Sequence, residues 1–237
     1  MKNVLVIGAT GDVGQGVCQV LMSAGHRVVG VSRNGGNLEA VRKRLLPVGT
    51  LECLVGSVGS VTEAKALCDG ASAHMGRFDC VVTTVNSKMG KKPLIDRQPD
   101  ELLRNLEDNF IPHFIAAKVF IPAVAAGGVY LAIGGGMADF IVPGNGLSAV
   151  SQAAQRNMIR MIAREARGGA VLIKSLLLYS HITGESNRDG ADPVWFTDEE
   201  CGRHVLAVIS EPDKFPGTIL ALKSREQVGL PEEKKES

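Results

Sequence analysis

The chain opens on a short apolar run, Asn3-Val4-Leu5-Val6-Ile7, of the length and composition of a buried strand. It gives way at once to Gly8-Ala9-Thr10-Gly11-Asp12-Val13-Gly14, and then to helical apolar spacing from Val13 to Ala24. The same alternation repeats along the chain. Strands are predicted over 3–7, 27–32, 51–55, 79–84, 129–133, 170–178 and 218–222. Helices are predicted over 13–24, 37–46, 61–75, 99–125, 147–166 and 197–209, with Pro112 and Pro122 breaking the fourth. Strands that alternate with helices predict an α/β fold: one doubly wound parallel sheet of about seven strands, helices on both faces and right-handed crossovers. There is no internal repeat.

A strand, a glycine turn and a helix in that order form the context of a dinucleotide fingerprint, and hence of a Rossmann-type sheet with strand order 3-2-1-4-5-6-7. Gly8 allows the tight turn, Gly11 lets the backbone approach a pyrophosphate, and Gly14 lets the helix pack closely, so that phosphates rest on the first helical amides. Such a turn can also join a strand to a helix and bind nothing. The end of the second strand refines the expectation. NAD sites place an acid there to hold the ribose 2′-hydroxyl; this chain reads Ser32-Arg33-Asn34. An arginine pairs with a 2′-phosphate that a carboxylate would repel, so the expected cofactor is NADP(H), with Ser32 and Asn34 as neutral hydrogen-bonding neighbours. The alternative is that Arg33 is a solvated loop charge.

Length and charge narrow the class. A chain of 237 residues fits one large α/β domain, taken as 1–228, followed by a charged tail over 229–237 with nothing to bury. The net charge of +1 carries no footprint for nucleic acid or an anionic membrane. The longest apolar region, about 111–133, holds His113, Lys118, two prolines and two glycines, which argues against a membrane span. Five cysteines without metal-ligand spacing read as buried thiols of a reducing compartment. The start of the chain leaves no room for a secretion signal before the first strand, so a cytoplasmic protein with a small-molecule substrate is expected.

The chain resembles the short-chain dehydrogenase/reductase family over nearly its whole length. The resemblance rests on Thr10-Gly11-x-x-Gly14, on the Ser32-Arg33-Asn34 strand end and on the spacing of all seven strands. It implies cofactor contacts from Gly8, Thr10, Gly11, Asp12, Val13 and Gly14, and from Ser57 and Val58, where the family has Asp-Val near the adenine. It implies further contacts from Thr83 and Thr84, at the head of the segment replacing Asn-Asn-Ala-Gly, and from Thr183, placed to reach the nicotinamide carboxamide. Asn109 matches the asparagine that holds a proton-relay water. Other positions depart from the family. Gly134-Gly135-Gly136 follows the fifth strand, where the resemblance places a substrate-orienting serine. The tyrosine position falls on Ser148 and the lysine position on Gln152, and Tyr179-Ser180 replaces Pro-Gly after the sixth strand.

Hydride addition to a carbonyl builds charge on oxygen that an acid must neutralise, and a phenol serves when a nearby ammonium favours its anion. Ser148 and Gln152 keep the helical spacing without that chemistry, although Gln152 retains groups for a ribose hydroxyl. Tyr179 with His181, at the carboxyl edge of the sheet, is the best replacement pair; His113 and Asp139 are the others. The polar segment 184–193 before Trp195-Phe196 reads as a substrate lid or as an ordinary surface loop. Three functions follow as alternatives: an atypical NADP(H)-dependent oxidoreductase acting on a small carbonyl or conjugated compound, a silent NADP(H)-binding or sensing protein, and a scaffold turned to cyclisation, isomerisation or dehydration. The family resemblance also implies homodimers or homotetramers through the helices around 99–125 and 147–166.

Overall fold

Along β1 (Asn3–Ile7), Val4 and Val6 point to one face and Leu5 and Ile7 to the other, and all four are buried. A strand apolar on both sides belongs in the middle of a parallel sheet covered by helices on both faces. The computed structural model describes residues 1–231 and builds that arrangement. In chain order, β1 is followed by α1 (Asp12–Ser23), β2 (Arg27–Ser32), α2 (Gly35–Leu45), β3 (Glu52–Val55), α3 (Val61–Met75) and β4 (Phe78–Thr83). Then come α4 (Pro99–Asn109), α5 (Ile111–Phe120), β5 (Val124–Gly135), α6 (Gly146–Glu165) and β6 (Leu172–Leu178). The chain continues through β7 (Ile182–Thr183), β8 (Phe196–Thr197), α7 (Asp198–Ser210) and β9 (Ile219–Leu222).

Seven strands form one parallel sheet in the order β3-β2-β1-β4-β5-β6-β9. This is the expected order, its last strand being ninth in the chain because β7 and β8 pair separately, Ile182 with Phe196 and Thr183 with Thr197. Two-residue strands carry no periodicity, so no apolar pattern announces them. One apolar layer joins Val4 and Val6 to Val17 and Leu21 of α1, Leu38 of α2 and Val205 of α7. The other joins Leu5 and Ile7 to Leu67 of α3, Ile115 and Phe120 of α5 and Ile159 of α6.

The predicted helix over 99–125 is three pieces. It stops at Asn109, restarts at Ile111 with Pro112 in its first turn, and gives way after Phe120 to a 3-10 turn carrying Pro122. The strand predicted to start at 129 begins at Val124. Between the pairs Phe78–Val124 and Cys80–Val129 the register slips, and Gly127 (φ 78°) and Gly128 carry the bulge. A Cβ at Gly128 would lie 2.6 Å from the Asp79 carbonyl oxygen, so only glycine passes there. The same strand runs on to Gly135, which pairs with Leu178, so two residues of the glycine run belong to the sheet. The proposed tail falls mostly on 232–237, outside the described residues. Its start is tied down, Gly229 N–H donating to His204 Nδ1 at 3.2 Å and Leu230 N–H to the Gln227 carbonyl at 2.9 Å. No helix among the described residues is long and apolar enough to cross a membrane.

Candidate functional site

In a parallel sheet every crossover loop that follows a strand emerges at the carboxyl edge, which is where this chain collects its unusual residues. Gly8 turns off β1 with φ 93°, and a Cβ there would meet Thr84 Oγ1 at 2.6 Å. A Cβ at Gly14 would fall 2.2 Å from the Gly8 carbonyl oxygen, so its constraint comes from the turn itself. Gly11 is exposed, and a Cβ there would meet the Gly8 carbonyl oxygen at an ordinary contact distance of 3.6 Å. Gly11 is also the N-cap of α1 and supplies no side-chain acceptor, whereas α2, α3 and α7 are capped by Asn34, Ser60 and Thr197. The first amides of α1 thus lack a side-chain cap at an exposed turn.

The neighbouring side chains fix this turn. Thr84 donates to the carbonyls of Ile7 or Gly8 at 3.2 and 3.1 Å, and Thr10 shares a hydroxyl contact with Ser32 at 3.0 Å. Buried Gln15, absent from the sequence expectations, donates to the Thr10 carbonyl at 2.8 Å and is itself held by Arg44. Asn34 accepts from Asn37 N–H at 2.9 Å as the α2 cap. Arg33 is exposed and makes no ion pair or side-chain hydrogen bond among the described residues. Ser57 is half-buried, accepting from Gly59 N–H at 2.9 Å, and Val58 belongs to the core. Thr83 is turned fully inward, its hydroxyl 3.2 Å from that of Tyr130, so its side chain reaches no cleft.

Asp12 meets the segment that follows β7. Its carboxylate accepts from Ser186 N–H at 3.0 Å and from the Ser186 hydroxyl at 2.5 Å, while Glu185 pairs with Arg44 at 3.1 Å. A Cβ at Gly184 would lie 2.4 Å from Asp12 Cβ. The supposed lid is therefore docked by its first residues on α1. Phe196 cannot close over a ligand as expected, because it is 3 % exposed and part of the core. Trp195 instead packs on His181, ring centroids 5.0 Å apart. Thr183 lies half-buried in β7.

Asn109 is the last residue of α4. Its Oδ1 accepts from Ser87 N–H at 2.6 Å and its Nδ2 donates to Asn105 Oδ1 at 3.1 Å; Asn105 in turn donates to the Leu147 carbonyl at 2.9 Å. These buried amides tie the loop after β4 to the start of α6. His113 acts in the same framework, with Nε2 at 2.8 Å from the Val85 carbonyl and Nδ1 at 3.2 Å from Gln155 Nε2. Burial pushes its imidazole down to about 4, against the Val85 hydrogen bond that favours the charged form. The neutral tautomer with a proton on Nε2 satisfies both contacts, so His113 is a structural residue and not the exposed acid it was a candidate for.

Ser148 and Gln152 sit one turn apart near the start of α6. The Gln152 carboxamide lies over β5, where a Cβ at Gly135 would come 2.5 Å from Oε1. That oxygen is buried and has no donor among the described residues. One residue further on, the Tyr179 ring covers Gly136, whose Cβ would fall 2.8 Å from the ring. The Tyr179 hydroxyl donates to Asp139, Asp139 also pairs with Arg156, and Phe140 stacks at 5.8 Å. The structure thus unites Tyr179 with Asp139, which the sequence offered as separate candidates, and sends His181 to Trp195 instead. Arg156 was legible only as one i, i+4 step from Gln152; nothing in the sequence pointed to Lys223, whose Nζ stands 5.3 Å from the Tyr179 ring centroid.

A dinucleotide fits these residues: the exposed Gly11 turn, the uncapped α1 amides, the unpaired Arg33 and the donorless Gln152 oxygen are the groups that phosphates and a ribose would satisfy. Two surface concavities, of about 590 and 300 Å³, lie at the opposite, amino edge of the sheet, among Arg160, Arg164 and Thr218 and among Arg77, Pro122 and Val171. No group of three or more metal-ligating side chains occurs among the described residues.

Residues 2–183 match the sequence profile of the short chain dehydrogenase family, and the chain belongs to that family. No curated protein matches it. Similar solved structures include a short-chain dehydrogenase/reductase from Serratia marcescens (TM-score 0.82, 19 % identity, covering 93 % of this chain and 96 % of that one). An alcohol dehydrogenase from Thermococcus sibiricus, complexed with 5-hydroxy-NADP, aligns with TM-score 0.80 and 18 % identity over 94 % of this chain and 97 % of its own. A 7α-hydroxysteroid dehydrogenase complexed with NADH and 7-oxo glycochenodeoxycholic acid aligns with TM-score 0.82 and 20 % identity, over 94 % and 92 %. At these identities the likeness establishes the fold.

Proposed function

We propose that the chain is an atypical NADP(H)-dependent oxidoreductase that reduces a small carbonyl or conjugated compound without the serine and Tyr-x-x-x-Lys of its family. The observation that carries this reading is the glycine-lined, uncapped start of α1 beside an unpaired Arg33, with no carboxylate at the end of β2. The Thermococcus sibiricus relative holds an NADP derivative and the hydroxysteroid dehydrogenase NADH, so the fold serves both forms and the strand end decides between them.

When bound, the cofactor supplies a hydride to the substrate. The protein's share is binding and proton supply. The α1 amides hold the phosphates, and Arg33 pairs with the 2′-phosphate. Gln152 Oε1 accepts from a ribose hydroxyl, which ends its isolation. Ser57 and Val58 flank the adenine, and Thr183 reaches the carboxamide. Tyr179 donates the proton, its ring lying against Gly136 at the end of β5.

The test is NADPH oxidation over a panel of aldehydes, ketones and enones, after binding has been established. Turnover is expected, and Tyr179→Phe should lower its rate by ~10²–10⁴-fold while leaving NADPH affinity unchanged. NADPH that binds and is never consumed would mark a silent binding protein instead.

A further inference from the structure

We propose that Tyr179 and Lys223 form a proton-donating pair built from the carboxyl ends of β6 and β9, in place of a tyrosine and lysine on α6. The proposal rests on the oxidoreductase reading above and names the residue that tunes its acid. Backbone register makes the two neighbours: Leu178 pairs with Leu222 as the last residues of adjacent parallel strands, and Tyr179 N–H donates to the Leu222 carbonyl at 3.0 Å. The Tyr179 ring then lies across Gly136, where any Cβ would come within 2.8 Å, and Phe140 supports it at 5.8 Å. Lys223 is exposed, has no carboxylate partner among the described residues, and places Nζ 5.3 Å from the ring centroid. That is within the range at which an ammonium is attracted to an aromatic ring.

Among the described residues, Asp139 from the loop after β5 and Lys223 beyond β9 face this phenol, and Arg156 of α6 pairs with Asp139. Asp139 fixes the hydroxyl, and Arg156 offsets the carboxylate's charge. Lys223 favours the anion the phenol becomes once its proton has left. With the reduced cofactor bound, the carbonyl carbon would take the hydride it supplies, the C=O π pair would move to oxygen, and that oxygen would take the proton of Tyr179 Oη to give an alcohol. The phenolate persists beside the Lys223 ammonium until water reprotonates it. Tyr179 is the catalytic residue of this scheme; Lys223 and Asp139 are positioning residues that act through it.

The pair can be tested without a substrate, because the chain has only two tyrosines. Tyr130 is fully buried and its phenol is pushed up by desolvation, so Tyr179→Phe identifies the alkaline rise in tyrosinate absorbance that comes from the other ring. In the full-length protein this rise should vanish in Tyr179→Phe. It should move to higher pH in Lys223→Met and stay in place in Lys223→Arg. A transition that persists in Tyr179→Phe, or that sits at the same pH in wild type and Lys223→Met, overturns the pair. The oxidoreductase reading fails separately, through wild-type protein that binds NADPH and turns over nothing.

Discussion

Gly16 on α1 and Gly202 on α7 face each other where the two helices cross. A Cβ at Gly16 would lie 2.0 Å from the Asp198 carbonyl oxygen, and one at Gly202 2.4 Å from the Gly16 carbonyl oxygen. Gly70 on α3 has nothing within 4 Å of its Cβ position. Inside a helix alanine is favoured over glycine by about 1 kcal/mol, so the same substitution should have opposite signs at the two sites. Gly70→Ala should stabilise by up to about 1 kcal/mol, and Gly202→Ala should destabilise by about 1–3 kcal/mol because overpacking outweighs propensity. Urea denaturation midpoints decide it, and a stabilised Gly202→Ala would refute the close crossing. The sequence disclosed the spacing of Gly8, Gly11 and Gly14 but not the pair 16/202, which has meaning only once α1 and α7 touch. The same limit applies at the site: Arg33 is legible from its place after a strand, whereas Lys223 gains its role from a neighbour 44 positions earlier in the chain.

At the level of elements, apolar periodicity located all seven strands of the main sheet, and the dinucleotide fingerprint supplied their order. Periodicity failed where a local signal was overridden by its surroundings. Val124 and Ala125 read as the end of an apolar helix, yet Pro122 ends the helical path and two glycines let the segment 124–128 enter the sheet through a bulge. The segment 184–193 reads as a loop, and its composition says nothing of where it rests. In the structure Ser186, Glu185 and Gly184 fasten its start to Asp12 and Arg44, beside the turn assigned to the phosphates. The element expected to cover the substrate thus begins against the first turn of α1, next to the glycine turn. His113 and Asn109, on α5 and α4, work as braces for the loop after β4. Sequence could name these residues as polar within apolar helices, but only packing separates a brace from a catalyst.

For the whole molecule the buried histidines set a dependence on acid. His113 holds its neutral form down to about 4 in the folded state, and burial also lowers His204 and His26. An unfolded histidine protonates near its ordinary value of about 6.5, so below that pH the unfolded chain binds more protons than the folded one. The stabilisation is complete above the unfolded value and is lost as pH falls through the window down to the folded one; for His113 alone it amounts to about 3 kcal/mol. Denaturation midpoints should drop between about pH 7 and pH 5, above the range in which carboxylates titrate, and His113→Gln should flatten that slope. An unchanged slope in the variant would place the charge elsewhere. Whether this fold holds NADP(H) through Arg33 is decided by titrating the protein with NADPH while following Trp195 and nicotinamide emission, with NADH and Arg33→Ala alongside. NADPH is predicted to bind, and both NADH and the variant to bind roughly tenfold or more weakly, as expected for the loss of a charge-assisted pair. Equal affinity for NADPH and NADH, or no binding of either, would contradict it.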